Sequence, residues 1–178
     1  MKALVGALVF ALCGVPLVSA AQDARNPVSD ALRSQEQRRG KNLVEAAEDM
    51  PAEKYGFKPT PAQMSFGDVV VHLAEGNDDL CSAITGVAAP QRSKVAATEA
   101  KDKLVARLKE TFAFCEAALA KLDDSKFADK IPFFGGREVS RASAALITVD
   151  DWADHYSQVA IYMRLNGLLP PTARRRAQ

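Results

Sequence analysis

The chain has 178 residues, a length that suits a single domain. Lysine and arginine number 23 against 22 aspartates and glutamates, so the formal net charge is only +1. This balance argues against nucleic-acid binding, because proteins of that class usually carry an excess of cations on one face. Hydrophobic residues make up 48% of the chain, which is enough for a core, although the N-terminal segment contributes part of that share.

Residues 1–21 have the pattern of a cleavable signal peptide. Lys2 supplies the positive charge, residues 3–18 are almost wholly apolar, and the small residues 19–21 fit a cleavage site. The apolar run is short for a membrane span, and Pro16 interrupts it. We therefore expect a secreted or periplasmic protein that leaves the membrane after cleavage, in a compartment that permits disulfides.

The first predicted helix follows a polar linker at residues 22–29. Apolar residues at helical spacing predict this helix over residues 30–50, with a thin apolar face and a proline directly after it. Residues 51–64 are rich in proline and glycine and indicate a connection. Tyr55 and Phe57 in this connection are expected to pack onto the helices.

The second and third helices have the clearest signals. Ser65 predicts an N-cap, and Asp68 completes a capping box three residues later. Gly86 and Pro90 are expected to end the second helix. The third helix is predicted over residues 94–122, where apolar residues recur every three or four positions.

Two later stretches are expected to be irregular. Residues 125–140 contain a proline and two glycines, and Phe133 and Phe134 are expected to anchor the stretch to the core. Residues 172–178 carry three consecutive arginines and are typical of a solvated basic tail.

The fourth helix is predicted over residues 148–166, with Thr148 as its N-cap and a helical lead-in from Ser140 as the alternative. No strand pattern of convincing length is visible. Four amphipathic helices without a sheet predict an all-α protein, a four-helix bundle that spans residues 30–171.

Two cysteines remain after removal of the signal peptide. Cys81 lies on the second predicted helix and Cys115 on the third. An even count in an oxidising compartment favours a disulfide between two helices that pack together. The alternative is that both are small core residues.

The chain has only two histidines, His72 and His155. Asp151 lies four residues before His155, so the two side chains can reach one point on the fourth helix. Two imidazoles and a carboxylate would suit zinc, nickel, iron or manganese and would leave positions open for water. The alternative is that each histidine is a hydrogen-bonded boundary residue and that Asp151 is an acid of the opening turns.

Three segments carry a resemblance to a known family. Residues 154–171, DHYSQVAIYMRLNGLLPP, resemble the closing helix of DinB/YfiT-like proteins. Residues 65–74, SFGDVVVHLA, resemble the second-helix motif of the same proteins, and residues 57–59 match what precedes that helix. The resemblance covers roughly residues 30–171, and the final-helix motif is its most specific part.

The resemblance implies a bundle that binds a divalent metal through one histidine of the second helix and a His-x-x-x-His pair of the fourth. His72 and His155 match two of these ligands, whereas Asp151 occupies the position of the third. Members with an assigned activity include transferases and isomerases that use low-molecular-weight thiols. The implied function is an exported, metal-dependent hydrolase or thiol-linked transferase that acts on a small molecule.

Two other interpretations remain open. The chain could be a non-catalytic module that binds a ligand or a partner and retains a degenerate metal site. It could also form a homodimer through the thin apolar side of the first helix. Neither interpretation involves nucleic acid.

Overall fold

The computed structural model describes residues 26–174 and contains four long helices. They are α1 (Pro27–Asp49), α2 (Phe66–Thr85), α3 (Lys101–Leu119) and α4 (Arg141–Leu165). A hairpin of β1 (Lys130–Phe133) and β2 (Arg137–Ser140) precedes α4, and a short α5 (Pro171–Arg174) follows it. The prediction of an all-α protein is confirmed only in its coarser form, a mostly helical fold, because the hairpin is a small sheet that the sequence pattern did not predict. The predicted signal peptide, residues 1–21, lies outside the described residues.

The contacts between helices fix their directions. Asn77 meets Thr111 and Cys81 meets Cys115, with the same offset of 34 residues, so α2 and α3 run parallel. On α2 and α4, His72 meets His155 and the later Asn77 meets the earlier Trp152, so these helices are antiparallel. On α1 and α3, Arg33 meets Leu119 and Glu48 meets Lys109, so this pair is antiparallel as well. The bundle is therefore up-down-down-up, and each helix buries its apolar stripe in one common core.

The parallel pair explains why the third helix is shorter than predicted. Residues 86–100 must return along the whole length of α2 before α3 can begin, and only extended chain covers that distance. Arg92 of this segment forms an ion pair with Asp78 of α2 at 2.9 Å, and the side chain of Val95 in the same segment is buried. The prediction that the helix begins at residue 94 was wrong because this long-range requirement overrides a local pattern.

The ends of α1 and α2 are capped in different ways. Ser65 and Asp68 form the predicted capping box at the start of α2, which is confirmed. The carboxylate of Asp124 instead caps α1 from a distant loop, accepting the backbone N–H groups of Val28 and Ser29 at 3.0 and 2.8 Å. Because this cap comes from far along the chain, the only local signal for the start of α1, inside the predicted linker, is the proline of its first turn, Pro27.

The segment before α4 differs from the prediction. Residues 130–140 form the hairpin, whose turn places Gly135 and Gly136 at φ values of 69° and 70°. Four-residue strands, one of them with a proline, are too short for an alternating pattern to predict. Phe133 is buried as expected, but Phe134 is 49% exposed and does not anchor the segment.

The fourth helix begins earlier than the predicted residue 148. Ser140 is its N-cap and accepts the backbone N–H of Ser143, so the lead-in from Ser140 is the correct alternative. Thr148 is fully buried within the helix and donates its hydroxyl to the carbonyl of Ala144. Beyond α4, Arg174 pairs with Asp49 at 2.5 Å, so the described start of the basic tail is docked on the bundle.

No helix among residues 26–174 combines the length and the apolar character that crossing a bilayer requires.

A buried carboxyl on α1 should make the stability of the bundle depend on pH. Glu36 is 4% exposed, and desolvation together with the nearby Glu116 raises its pKa from 4.5 to about 7. The folded state therefore binds more protons than the unfolded state between these two values, so stability falls as pH rises through this window. We expect Glu36→Gln to match the wild type at pH 4 and to be more stable at pH 8, by roughly 3 kcal/mol.

Urea denaturation at several pH values measures this difference. Glu53→Gln is a matched control because Glu53 is exposed in the connection after α1. Parallel stability profiles for wild type and Glu36→Gln across this range would contradict the assignment.

Candidate metal centre

Three side chains converge where α2 crosses α4. His72 projects from α2, and Asp151 and His155 project from successive turns of the antiparallel α4. The Asp151 Oδ1 atom lies 3.4 Å from Nε2 of His155 and 4.0 Å from Nε2 of His72. One ligand atom from each residue lies within 4.8 Å of the other two, so the group could hold a metal ion.

The three side chains differ in how far they are exposed to solvent. The side chain of His72 is 49% exposed, that of Asp151 27% and that of His155 13%. The two imidazole rings meet edge to face with centroids 4.7 Å apart. His155 is thus fixed by its surroundings, whereas His72 keeps room to adjust.

A directional chain of hydrogen bonds orients His155. The carbonyl of Met64 can only accept, so the Tyr162 hydroxyl donates to it at 2.9 Å. The Tyr162 oxygen then accepts from Nε2 of Gln158 at 3.1 Å, which turns Oε1 of Gln158 towards His155. Nδ1 of His155, 3.0 Å from that oxygen, must be the donor. The chain therefore directs Nε2 towards Asp151 and His72.

This arrangement is common around metal-binding histidines. Such histidines usually donate the second ring N–H to a fixed acceptor, which sets the tautomer and the ring orientation. Here Gln158 is the acceptor, and Tyr162 is itself 1% exposed and held by the backbone. Nothing in the sequence pattern could reveal the last acceptor of this chain, because the carbonyl of Met64 belongs to the backbone.

The charge of Asp151 acts directly on His155. Its hydrogen bond to the ring is the main reason that the pKa of His155 lies above the ordinary 6.5. Burial acts in the opposite direction, while the hydrogen bond to Gln158 adds to the rise. Metal ligation requires that Nε2 carry no proton, so a metal ion and a proton compete for this atom.

The spacing of the three donors fits a small divalent ion after a modest contraction. Tetrahedral coordination with bonds of 2.0–2.1 Å places ligand atoms about 3.3 Å apart. The Asp151–His155 distance of 3.4 Å already meets this value, whereas the exposed His72, 4.0 Å from Asp151, must move closer to its partners. Three protein ligands on one side leave the solvent side free, as at catalytic rather than structural zinc sites.

Four further polar and aromatic residues of α2 and α4 lie outside this group. Glu75 and Asp154 are exposed and do not belong to the converging group, although the charge of Asp154 adds to the rise in the pKa of His155. Trp152 points into the core, and Tyr156 bonds Thr172 of α5 at 2.9 Å. These aromatic residues therefore belong to the packing of the bundle.

The cysteines lie on the opposite edge of α2 from His72. Cys81 and Cys115 are joined in a disulfide, with their Cα atoms 5.3 Å apart and both residues fully buried. The bond fastens α2 to α3, whereas the histidine group joins α2 to α4. The two features therefore fix different neighbours of the same helix.

An up-down-down-up bundle with a His/Asp/His group between its second and fourth long helices defines a helical protein with a candidate metal centre. The family model of the DinB superfamily matches residues 35–159, and the chain belongs to this superfamily. The resemblance predicted from the helix motifs is confirmed.

Solved structures have the same fold at low sequence identity. A DinB-like protein from Bacillus subtilis is 19% identical with a TM-score of 0.63, over 77% of this chain and 92% of that chain. One from Bacillus cereus is 17% identical with a TM-score of 0.67, over 80% and 95%. A conserved protein from Enterococcus faecalis is 18% identical with a TM-score of 0.62, over 78% and 96%. No curated protein matches the chain significantly in sequence.

Proposed function

We propose that this protein binds one divalent metal ion through His72, Asp151 and His155 and acts as a metal-dependent hydrolase on a small molecule. The observation that carries the proposal is the convergence of three ligand atoms within 4.8 Å of one another. When bound at such a site, a divalent ion lowers the pKa of water or of a thiol and so supplies a nucleophile at neutral pH.

The chain's own residues support this chemistry in separate ways. Gln158 and Tyr162 hold His155 in the orientation that ligation needs. The half-exposed His72 keeps the site open to solvent, and therefore to a small substrate. Zinc, nickel, iron and manganese all accept imidazole, and the carboxylate broadens the choice towards manganese. A thiol-linked transfer would use the same coordination positions of the metal that the protein leaves free.

The proposal also includes export of this protein from the cytoplasm. The segment that carries the export signal lies outside the described residues, and the support from the structure is the buried disulfide between Cys81 and Cys115. Disulfides persist in oxidising compartments and are rare in the cytosol. Cell fractionation and the N-terminal sequence of the exported form test this part, and an intact N-terminus in the cytoplasm would contradict it.

A second candidate function has one observation in its favour. The Asp151 carboxylate lies 4.0 Å from His72 and 3.4 Å from His155, close enough for the three groups to interact as a polar cluster. Under that interpretation the protein is a non-catalytic module that binds a ligand or a partner, and the metal site is degenerate. Metal binding by the purified protein distinguishes the two functions.

We expect the purified protein to bind close to one equivalent of zinc or manganese. Asp151→Ala should lower the affinity by more than ~100-fold, since loss of an outer hydrogen-bond partner alone costs 10- to 100-fold. Gln158→Leu should fall within that smaller range, because it removes only the acceptor for His155. Elemental analysis and calorimetric titration measure both effects, and chromogenic esters then report hydrolysis by the loaded protein.

The controls separate ligation from structure. Asp150→Ala removes a neighbouring carboxylate that is exposed on the far side of α4, and it should bind metal like the wild type. Asp151→His installs the ligand that the family resemblance implies, and it should also bind. Equal metal content in Asp151→Ala and Asp150→Ala, or none in the wild type, would favour the non-catalytic module.

A further inference from the structure

The outer face of α4 exposes large apolar side chains at both of its ends. Leu146 and Ile147 near the start, and Ile161 and Leu165 near the end, are between 41% and 68% exposed. At 100° per residue these four lie within one arc of about 100°, on the side of the helix opposite the buried Trp152. Monomeric proteins seldom leave such faces uncovered.

The middle of the same face is small and polar. Ala153 and Ser157 are one turn apart, and the Ser157 hydroxyl is already bonded to the carbonyl of Ala153 at 3.0 Å. Asp150 and Arg164 flank them, and within residues 26–174 neither forms an ion pair. Arg164 bonds only the carbonyl of Ala160 on its own helix. This face therefore offers close approach at its centre and unpaired charges of opposite sign on either side.

These charges are placed symmetrically about Ser157. Asp150 precedes it by seven residues (157 − 150) and Arg164 follows it by seven (164 − 157), while Ala153 and Ile161 lie four residues before and after it. We propose that the outer face of α4 is a homodimer interface in which two α4 helices pack antiparallel with Ser157 on the two-fold axis. Each Asp150 then meets Arg164 of the second copy, and each Ala153 meets Ile161.

Charge selects this register over the alternative that the apolar residues also allow. An axis between Ala153 and Asp154 would pair Leu146 with Ile161 of the second copy. It would also place the two Asp154 carboxylates against each other beside the axis, with no cation opposite them. The axis at Ser157 replaces that repulsion with two ion pairs.

The first helix is the other surface considered for a homodimer. Most apolar side chains of α1, however, are already buried in the core.

Sedimentation equilibrium of the purified protein tests the interface. The N-terminus of the sample is determined first by mass spectrometry. The wild type should form a dimer that dissociates on dilution. Arg164→Asp and Asp150→Arg should each weaken it by at least ~10-fold, because each places like charges opposite each other. Combining the two substitutions restores opposite charges across the axis, and it should return the dimer to near the wild-type affinity.

Two further variants provide a direct test of the interface and a control for the charge substitutions. Ser157→Arg inserts a long side chain at the axis and should give a monomer with an unchanged helical circular dichroism spectrum. Glu138→Lys reverses an exposed charge on the hairpin, which is not part of the proposed interface, and should leave the dimer intact. A wild type that stays monomeric, or a dimer that survives Ser157→Arg, would overturn the proposal, as would charge substitutions that do not rescue each other.

Discussion

Reduction of the disulfide should destabilise the bundle by about 4 kcal/mol. Cys81 and Cys115 close a loop of 34 residues, and the loss of chain entropy in the unfolded state predicts a stabilisation of about this size. For a chain of this length the melting temperature should fall by roughly 10 °C. Urea denaturation followed by circular dichroism, with and without reductant, measures the difference.

The double variant Cys81→Ala/Cys115→Ala is the control for this experiment. It should unfold at the same urea concentration with and without reductant, and its stability should resemble that of the reduced wild type. An unfolding midpoint of the wild type that is indifferent to reductant would show that the bond does not form in solution.

Truncation of Trp152 should have an effect of similar size. The indole is fully buried, and its N–H donates to Oδ1 of Asn77 at 2.7 Å, while Nδ2 of Asn77 donates to Thr111 at 3.2 Å. Trp152→Ala should cost about 3–5 kcal/mol, because it opens a large cavity and removes the partner of Asn77. Equilibrium unfolding in urea measures this loss.

Conservative variants separate the hydrogen bond from the packing. Trp152→Phe keeps much of the buried ring but leaves the Asn77 oxygen unpaired, and it should cost about 1–3 kcal/mol. Asn77→Leu combined with Trp152→Phe removes both partners and should cost less than the sum of the two single substitutions. Strict additivity would mean that this hydrogen bond contributes little to stability.

Local sequence signals account for most of the fold. The periodicity of α1, α2 and α4 and the capping box at Ser65 depend only on neighbouring residues, so they could be read directly. The start of α3 could not be read because residues 86–100 must return along a parallel helix. The cap that Asp124 gives α1 could not be read either, since the two lie about 95 residues apart.

The candidate site divides in the same way. The spacing of Asp151 and His155 on one helix is a local feature, visible in the sequence. That His72 lies opposite them depends on the register between α2 and α4, which the family resemblance implied and residue spacing alone did not. The carbonyl of Met64 is invisible to sequence reasoning, because any residue at that position would supply the same group.

The hydrogen bonds that connect His155 to the carbonyl of Met64 affect how this site can change during evolution. The orientation of His155 is fixed from the side away from Asp151 and originates in a backbone carbonyl that no substitution removes. The position at Asp151 can therefore exchange between histidine and aspartate without disturbing the aim of His155. A single substitution at this position would therefore change the charge of the candidate centre while the orientation of His155 stayed the same.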